Sequence, residues 1–151
     1  MRVRRHSFTE QDLPQGFQIY EDRLYVSGVG PRKREAIAFA NAKLRWLELE
    51  CEPDNETDFN ACRVMGCFRA RFRMKRYHIG YVPREAARRI VEGGFEDAVQ
   101  LRLLKSYVGS GDFVEIEFHI LGPQDRIEEY RSPRRSPLET EAEPKIVRFA
   151  G

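Results

Sequence analysis

The sequence predicts a mainly β domain: a small, partly closed barrel of about six strands with two short helices. Three observations carry this. Apolar and polar residues alternate with period two along much of the chain, the mark of half-buried strands. Two short segments opened by proline and rich in alanine read as helices. No strand–helix–strand rhythm of a parallel sheet appears. The 151 residues (17.7 kDa) make one domain and leave room for a real core.

Residues 1–16 read as a flexible leader ending at Pro14 and Gly16. The aromatic and β-branched content of FQIYEDRLYVSGV places a first strand near Arg23–Val29. Pro31 then opens a helix through REAIAFANAK. In LRWLELECE, Leu47, Leu49 and Cys51 face one way and Trp46, Glu48 and Glu50 the other. The strand ends at the turn cluster Pro53-Asp54-Asn55, and another resumes through Ala61 and Val64, with Gly66 expected at a turn or bulge.

FRARFRMKRY reads as one strand. Phe68, Ala70, Phe72 and Met74 share one face, and Arg69, Arg71, Arg73 and Lys75 the other. After a strand end at Ile79–Val82, Pro83 opens a helix through REAARRIVEGG, with Ala87, Ile90 and Val91 on its apolar face. Two alternating strands, Val99–Val108 and Phe113–Leu121, flank the hairpin signal GSGD. The barrel domain thus runs 17–123. From 124 to 151 the prolines and charges of RSPRRSPLETEAEPK read as a disordered tail.

Charged residues make up 33% of the chain, hydrophobic ones 41%, and the net charge is +2. No apolar run nears the ~18 residues of a membrane span, and the start has no apolar signal region, so no membrane partner is expected. Three cysteines, an odd number, point to a reducing cytoplasm rather than a disulfide scaffold. Charge is segregated: residues 63–90 hold nine bases and one acid, and residues 48–58 hold six acids and no base.

Little of this supports catalysis. G-x-S-x-G, the phosphate-binding P-loop and H-E-x-x-H are all missing, and Gly28-Val29-Gly30 lacks the third glycine of a dinucleotide loop. His6, His78 and His119 read as surface residues. Cys51, Cys62, Cys67 and His78 lack the close C-x2-C pair of structural zinc sites. Asp54, Glu56 and Asp58 alternate like a calcium loop, but Phe59 stands where its glycine belongs, so the carboxylates are expected to accept turn N–H groups instead. No enzyme activity, cofactor or metal is expected. The basic face of Arg69, Arg71, Arg73 and Lys75, near Tyr77 and Tyr81, has two readings. It is a phosphate-binding surface, or it pairs with Glu48 and Glu50 across the sheet.

The run L49-E-C-E-P-D-N-E-T-D-F-N-A61, then a strand, then I79-G-Y-V-P-R-E-A-A87, resembles the HIRAN domain family over roughly residues 22–123. The resemblance implies a modified OB-like β-barrel with two helices. It also implies capture of the 3′-hydroxyl end of single-stranded DNA by stacking aromatics and an aspartate. Carried over, Asn55 and Asp58 fall at the pocket's asparagine and aspartate, and Tyr81 and Arg84 at helix-start residues facing the DNA backbone. Two positions depart. Thr57 stands where the pocket prefers an aromatic, and Gly30-Pro31 replaces a basic–aromatic pair, each such stack contributing ~1–3 kcal/mol. Arg32, Lys33 and Arg34 are expected to restore charge there.

The expected function is a non-catalytic module that binds single-stranded DNA or its 3′ end and works with DNA-repair or replication proteins. The alternative is a protein-interaction adaptor that uses the basic face or the tail.

Overall fold

The computed structural model describes residues 4–7 and 13–132. Among these residues, seven strands form two antiparallel sheets. Strands β1 (Arg4–Ser7), β2 (Phe17–Tyr25), β6 (Gln100–Val108) and β7 (Val114–Pro123) make one sheet in the order β1-β6-β7-β2. Strands β3 (Arg45–Cys51), β4 (Cys62–Ala70) and β5 (Arg73–Tyr81) make the other, in the order β3-β4-β5. Three α-helices, α1 (Lys33–Asn41), α2 (Arg84–Glu92) and α3 (Ile127–Arg131), complete the fold.

The expected partly closed barrel takes the form of two sheets with a partial junction. On one side, β2 and β5 are free sheet edges, and a single isolated bridge joins them: Ser27 and Tyr81 exchange both backbone hydrogen bonds, each 2.8 Å. On the other side, β3 lies near β6, and Arg45 donates to Ser106 Oγ at 3.2 Å. No continuous ladder runs between the sheets among the described residues.

The core lies between the sheets. Ile116, Phe118 and Ile120 of β7, Leu103 of β6, and Val64 and Ile79 of the second sheet are fully buried. Helix α1 touches both sheets and buries Ala36, Phe39 and Ala40. Phe39 explains Gly66. That residue is neither turn nor bulge but runs within β4, because a Cβ there would stand 2.8 Å from the Phe39 ring. The strands β3, β6 and β7, the hairpin at GSGD and helix α2 lie where the sequence places them.

Four expectations change. The first strand is Phe17–Tyr25, earlier than expected, and kinks through two register shifts against β7, with Arg23 at φ +54°. The leader is not wholly free: residues 4–7 pair with β6, whose open edge accepts another strand. The domain does not end at 123. Residues 124–132 form two helical turns, burying Ile127 and Tyr130 beside Tyr20 and Phe95. Tyr130 Oη and Arg89 both donate to Glu21, which fixes α3 against β2 and α2. The rest of the expected tail, 133–151, lies outside the described residues.

The fourth change concerns the basic stripe. FRARFRMKRY is not one strand but a hairpin whose two central residues are Arg71 and Phe72. Opposed residues share a face. Arg73 therefore lies with Ala70, and Lys75 with Phe68, while Arg69 lies on the other face opposite Met74. The turn splits the stripe between two faces and exposes Phe72 (94%) and Met74 (49%).

The junction between the sheets depends on Gly80. A Cβ there would collide with the Ser27 carbonyl oxygen and Val26 Cγ1. Gly80→Ala is expected to lower stability by about 1–3 kcal/mol, as overpacking does, read as a lower urea midpoint. An unchanged midpoint would show that the junction carries no load.

Candidate functional site

The clearest cluster of polar groups lies beside this junction. The ten-residue loop 52–61 between β3 and β4 is shaped by its own side chains. Its base is closed by the Glu52 N–H donating to the Ala61 carbonyl, 2.8 Å. Asn55 Oδ1 accepts the N–H groups of Thr57 and Asp58, each at 2.9 Å. Asp58 Oδ1 accepts the Asn60 N–H at 3.0 Å. Of the acids expected to accept turn N–H groups, Asp58 does so, and the Asn55 amide accepts the other two.

Asp58 Oδ2 is placed differently. It lies 3.6 Å from Arg84 Nε, an ion pair but beyond hydrogen-bond length, so its lone pairs stay available. Arg84 opens α2 and is 80% exposed at its side chain. Pro83, before it, provides no side-chain cap. Together Asn55, Thr57, Asp58, Tyr81, Arg84 and Ser27 line one open cleft of about 300 Å³. The structure thus brings together two pairs of residues from separate segments, Asn55 with Asp58 and Tyr81 with Arg84.

Of the three basic residues Arg32, Lys33 and Arg34, only Arg32 joins them, through the Tyr81 ring. Its guanidinium sits 5.1 Å above the Tyr81 ring and donates to the Gly28 carbonyl at 2.8 Å. The short 3-10 turn Gly30–Arg32, made possible by Gly30-Pro31, delivers it there. Lys33 and Arg34 are exposed on α1 and do not line the cleft.

Two residues that the sequence did not place in the site complete it. His78, expected at the surface, is half-buried with its ring edge-on to Tyr81, centroids 4.8 Å apart. Arg32 Nε donates to His78 Nδ1 at 3.3 Å, so His78 Nε2–H donates to the Gly80 carbonyl at 2.8 Å. The second is Glu52. It bonds Arg63 and accepts from Asn55 Nδ2 at 3.3 Å. Burial alone would raise its pKa, but hydrogen bonds from Tyr81, Arg63 and Asn55 outweigh it and hold Glu52 below the usual carboxylate range. Burial first, then the Glu52 bond, pushes the Tyr81 hydroxyl up. Periodicity signalled neither His78 nor Glu52, because the contacts of His78 with Arg32 and of Glu52 with Arg63 join separate segments of the chain.

The basic hairpin is a separate region. Glu48 and Glu50 do pair with bases across the sheet, as one reading of the sequence expected, but with others. Arg76 reaches both at 3.0 Å, and Arg63 lies 3.7 Å from Glu50. Arg69, Arg71, Arg73 and Lys75 have no acid at ion-pair distance among the described residues. No cluster of three or more His, Cys, Asp or Glu side chains suited to a metal occurs among those residues either. No helix among them is long and apolar enough to cross a membrane.

Among solved structures, the chain is similar to the crystal structure of the HIRAN domain of human HLTF. The TM-score is 0.42 at 15% sequence identity, covering 76% of this chain and 87% of that one. No family model and no curated protein matches the chain.

A proton on His78 Nδ1 would break the Arg32 bond and set two cations side by side. Burial first, then Arg32 and Arg63, accordingly hold the His78 pKa below its ordinary value. An unfolded histidine takes its proton near pH ~6.5, so below that pH the unfolded state binds more protons and stability falls. The urea midpoint is expected to drop between pH 7.5 and 5.5, and to drop less in His78→Gln. Equal drops in both proteins would remove His78 from the account. Some slope remains in the variant, because burial also lowers the His119 pKa.

Proposed function

We propose that the chain is a non-catalytic nucleic-acid-binding module that takes the 3′ end of a single strand into the cleft beside the Ser27–Tyr81 junction. The observation that carries this is the meeting of Asp58, Tyr81 and Arg84 in one cleft, with Arg32 behind the tyrosine ring. The motif resemblance supplies the ligand class.

Each group has a part suited to its surroundings. Asp58 Oδ2, left free by the turn, accepts the hydrogen bond of a terminal hydroxyl. Tyr81 offers its ring to a terminal base, while Arg32 on the ring polarises it and adds positive charge. Arg84, exposed at the rim, takes a phosphate, at the start of a helix whose dipole also favours an anion. A phosphate on the 3′ position would meet the Asp58 carboxylate and be repelled.

The hairpin tip is a second, more distant contact for the same strand. Arg71 and Arg73 flank the exposed Phe72, and no acid neutralises them among the described residues. The nine residues of β5 from Arg73 to Tyr81 span about 26 Å, the length of roughly eight nucleotides at a stacked spacing of about 3.4 Å. The same tip also supports the adaptor reading, in which an acidic protein rather than a strand covers Phe72.

The test is fluorescence anisotropy with a labelled strand of about ten nucleotides, its 3′ end free or phosphorylated, across salt concentrations. The free end is expected to bind at least about tenfold tighter, the loss of one hydrogen bond to a charged group. Arg84→Ala is expected to weaken binding and reduce the salt slope by about one phosphate contact. Equal binding of both ends would remove the 3′-end preference. No binding at low salt would overturn the nucleic-acid reading and leave the adaptor.

A further inference from the structure

Cys51 and Cys62 stand directly opposite each other where β3 ends and β4 begins. Both are free thiols, with sulfurs 2.9 Å apart. The next pair, Glu52 and Ala61, carries the ladder hydrogen bond, so Cys51–Cys62 is a non-hydrogen-bonded pair. In that geometry opposed Cα atoms are about 4.5 Å apart and side chains are closest, within the ~4.4–6.8 Å that a disulfide spans. The sulfurs need about 0.9 Å of further approach to reach a bond of ~2.05 Å.

Access differs between the two. Cys51 is half-buried and lines a cleft of about 320 Å³ with Leu49, Pro53, Phe59 and Val91. Cys62 is fully buried behind it. A hydrogen bond from the Cys62 thiol holds the Cys51 pKa below the usual thiol value, against burial and the nearby Glu96 and Asp97. Cys51 is therefore the sulfur that reacts first, and Cys62 the one that resolves. Cys67 lies in the same strand but on the opposite face, across from Trp46 and Arg76, and burial pushes its thiol up to about 11.

We infer that Cys51 and Cys62 are a reversible modification site: a cross-strand disulfide, formed by exchange with a small-molecule disulfide such as oxidised glutathione, that locks the base of the loop carrying Asn55 and Asp58. The Cys51 thiolate, its proton given to water, attacks one sulfur of the small disulfide. That S–S bond breaks and one small thiolate leaves. Cys62 then loses its proton and attacks Cys51 Sγ, which breaks the mixed disulfide and releases the second small thiolate. Two protein thiols lose two electrons, one small disulfide gains them, and the two released thiolates take up the two protons.

The test equilibrates the full chain, folded, in glutathione buffers of rising oxidised fraction, then quenches with acid, alkylates in denaturant so that buried thiols are reached, and reads intact mass. Oxidation is expected to leave one alkylated cysteine, Cys67, and to lower the unlabelled mass by two hydrogens. Dithiothreitol is expected to return three alkylated cysteines, and Cys67→Ser to leave none after oxidation. Hydrogen exchange across residues 52–61 is expected to slow in the oxidised form. Three alkylated cysteines at every ratio, or a glutathione adduct that persists on Cys51, would overturn the site. Unchanged exchange would overturn the locking of the loop. Neither readout involves nucleic acid, so the outcome stands whichever way the binding experiment falls.

Discussion

Two backbone hydrogen bonds between Ser27 and Tyr81 join the edges of the two sheets, and the candidate site is organised around them. Gly80 lets the chains approach closely enough to form them. Two walls of the cleft are a short step away along the chain. Ser27 leads through Gly28 to Arg32, whose guanidinium returns to the Tyr81 ring. Tyr81 leads through Pro83 to Arg84 at the start of α2. The β3–β4 ladder holds the third wall, the loop of Asn55 and Asp58. A sheet junction of only two hydrogen bonds leaves an opening beside it, where a continuous ladder would have closed the barrel.

Charge pairing sorts the many arginines into two kinds. Arg63 and Arg76 are held by the acids of the β3 region, and Arg88 and Arg89 by Glu92 and Glu21. Such pairs order the surface but leave little charge to offer a ligand. Arg32 stacks on a ring instead of pairing with an acid, and the tip of the β4–β5 hairpin carries its bases unneutralised. Positive charge is thus available at two places, the cleft and the tip, although the most basic stretch of sequence includes paired residues as well.

Much of this was legible in the sequence where a residue type forces a local structure. Pro83 and Gly93 bound α2, alternation defines β3, and GSGD marks the β6–β7 hairpin. The meeting of Asn55, Asp58, Tyr81 and Arg84 was legible through two spaced motifs. The turn at Arg71–Phe72 was not, because neither residue is a turn former and alternation continues through it. Arg71 reaches φ +20°, where turns favour glycine or asparagine, so the pairing of the strands overrides local preference there. Helix α3 was hidden because Ile127 and Tyr130 alone, three apart, make too little periodicity among charged neighbours. His78 escaped because its role comes from Arg32, 46 residues away in sequence.

The most direct test of the central claim is a map of backbone amide NMR shifts during titration with a short single strand bearing a free 3′ end. The account predicts that the largest changes fall at Ser27, Gly28, Thr57, Asp58, Tyr81 and Arg84, around the sheet junction. Changes confined to the hairpin tip, or scattered over the surface with none at the junction, would contradict it.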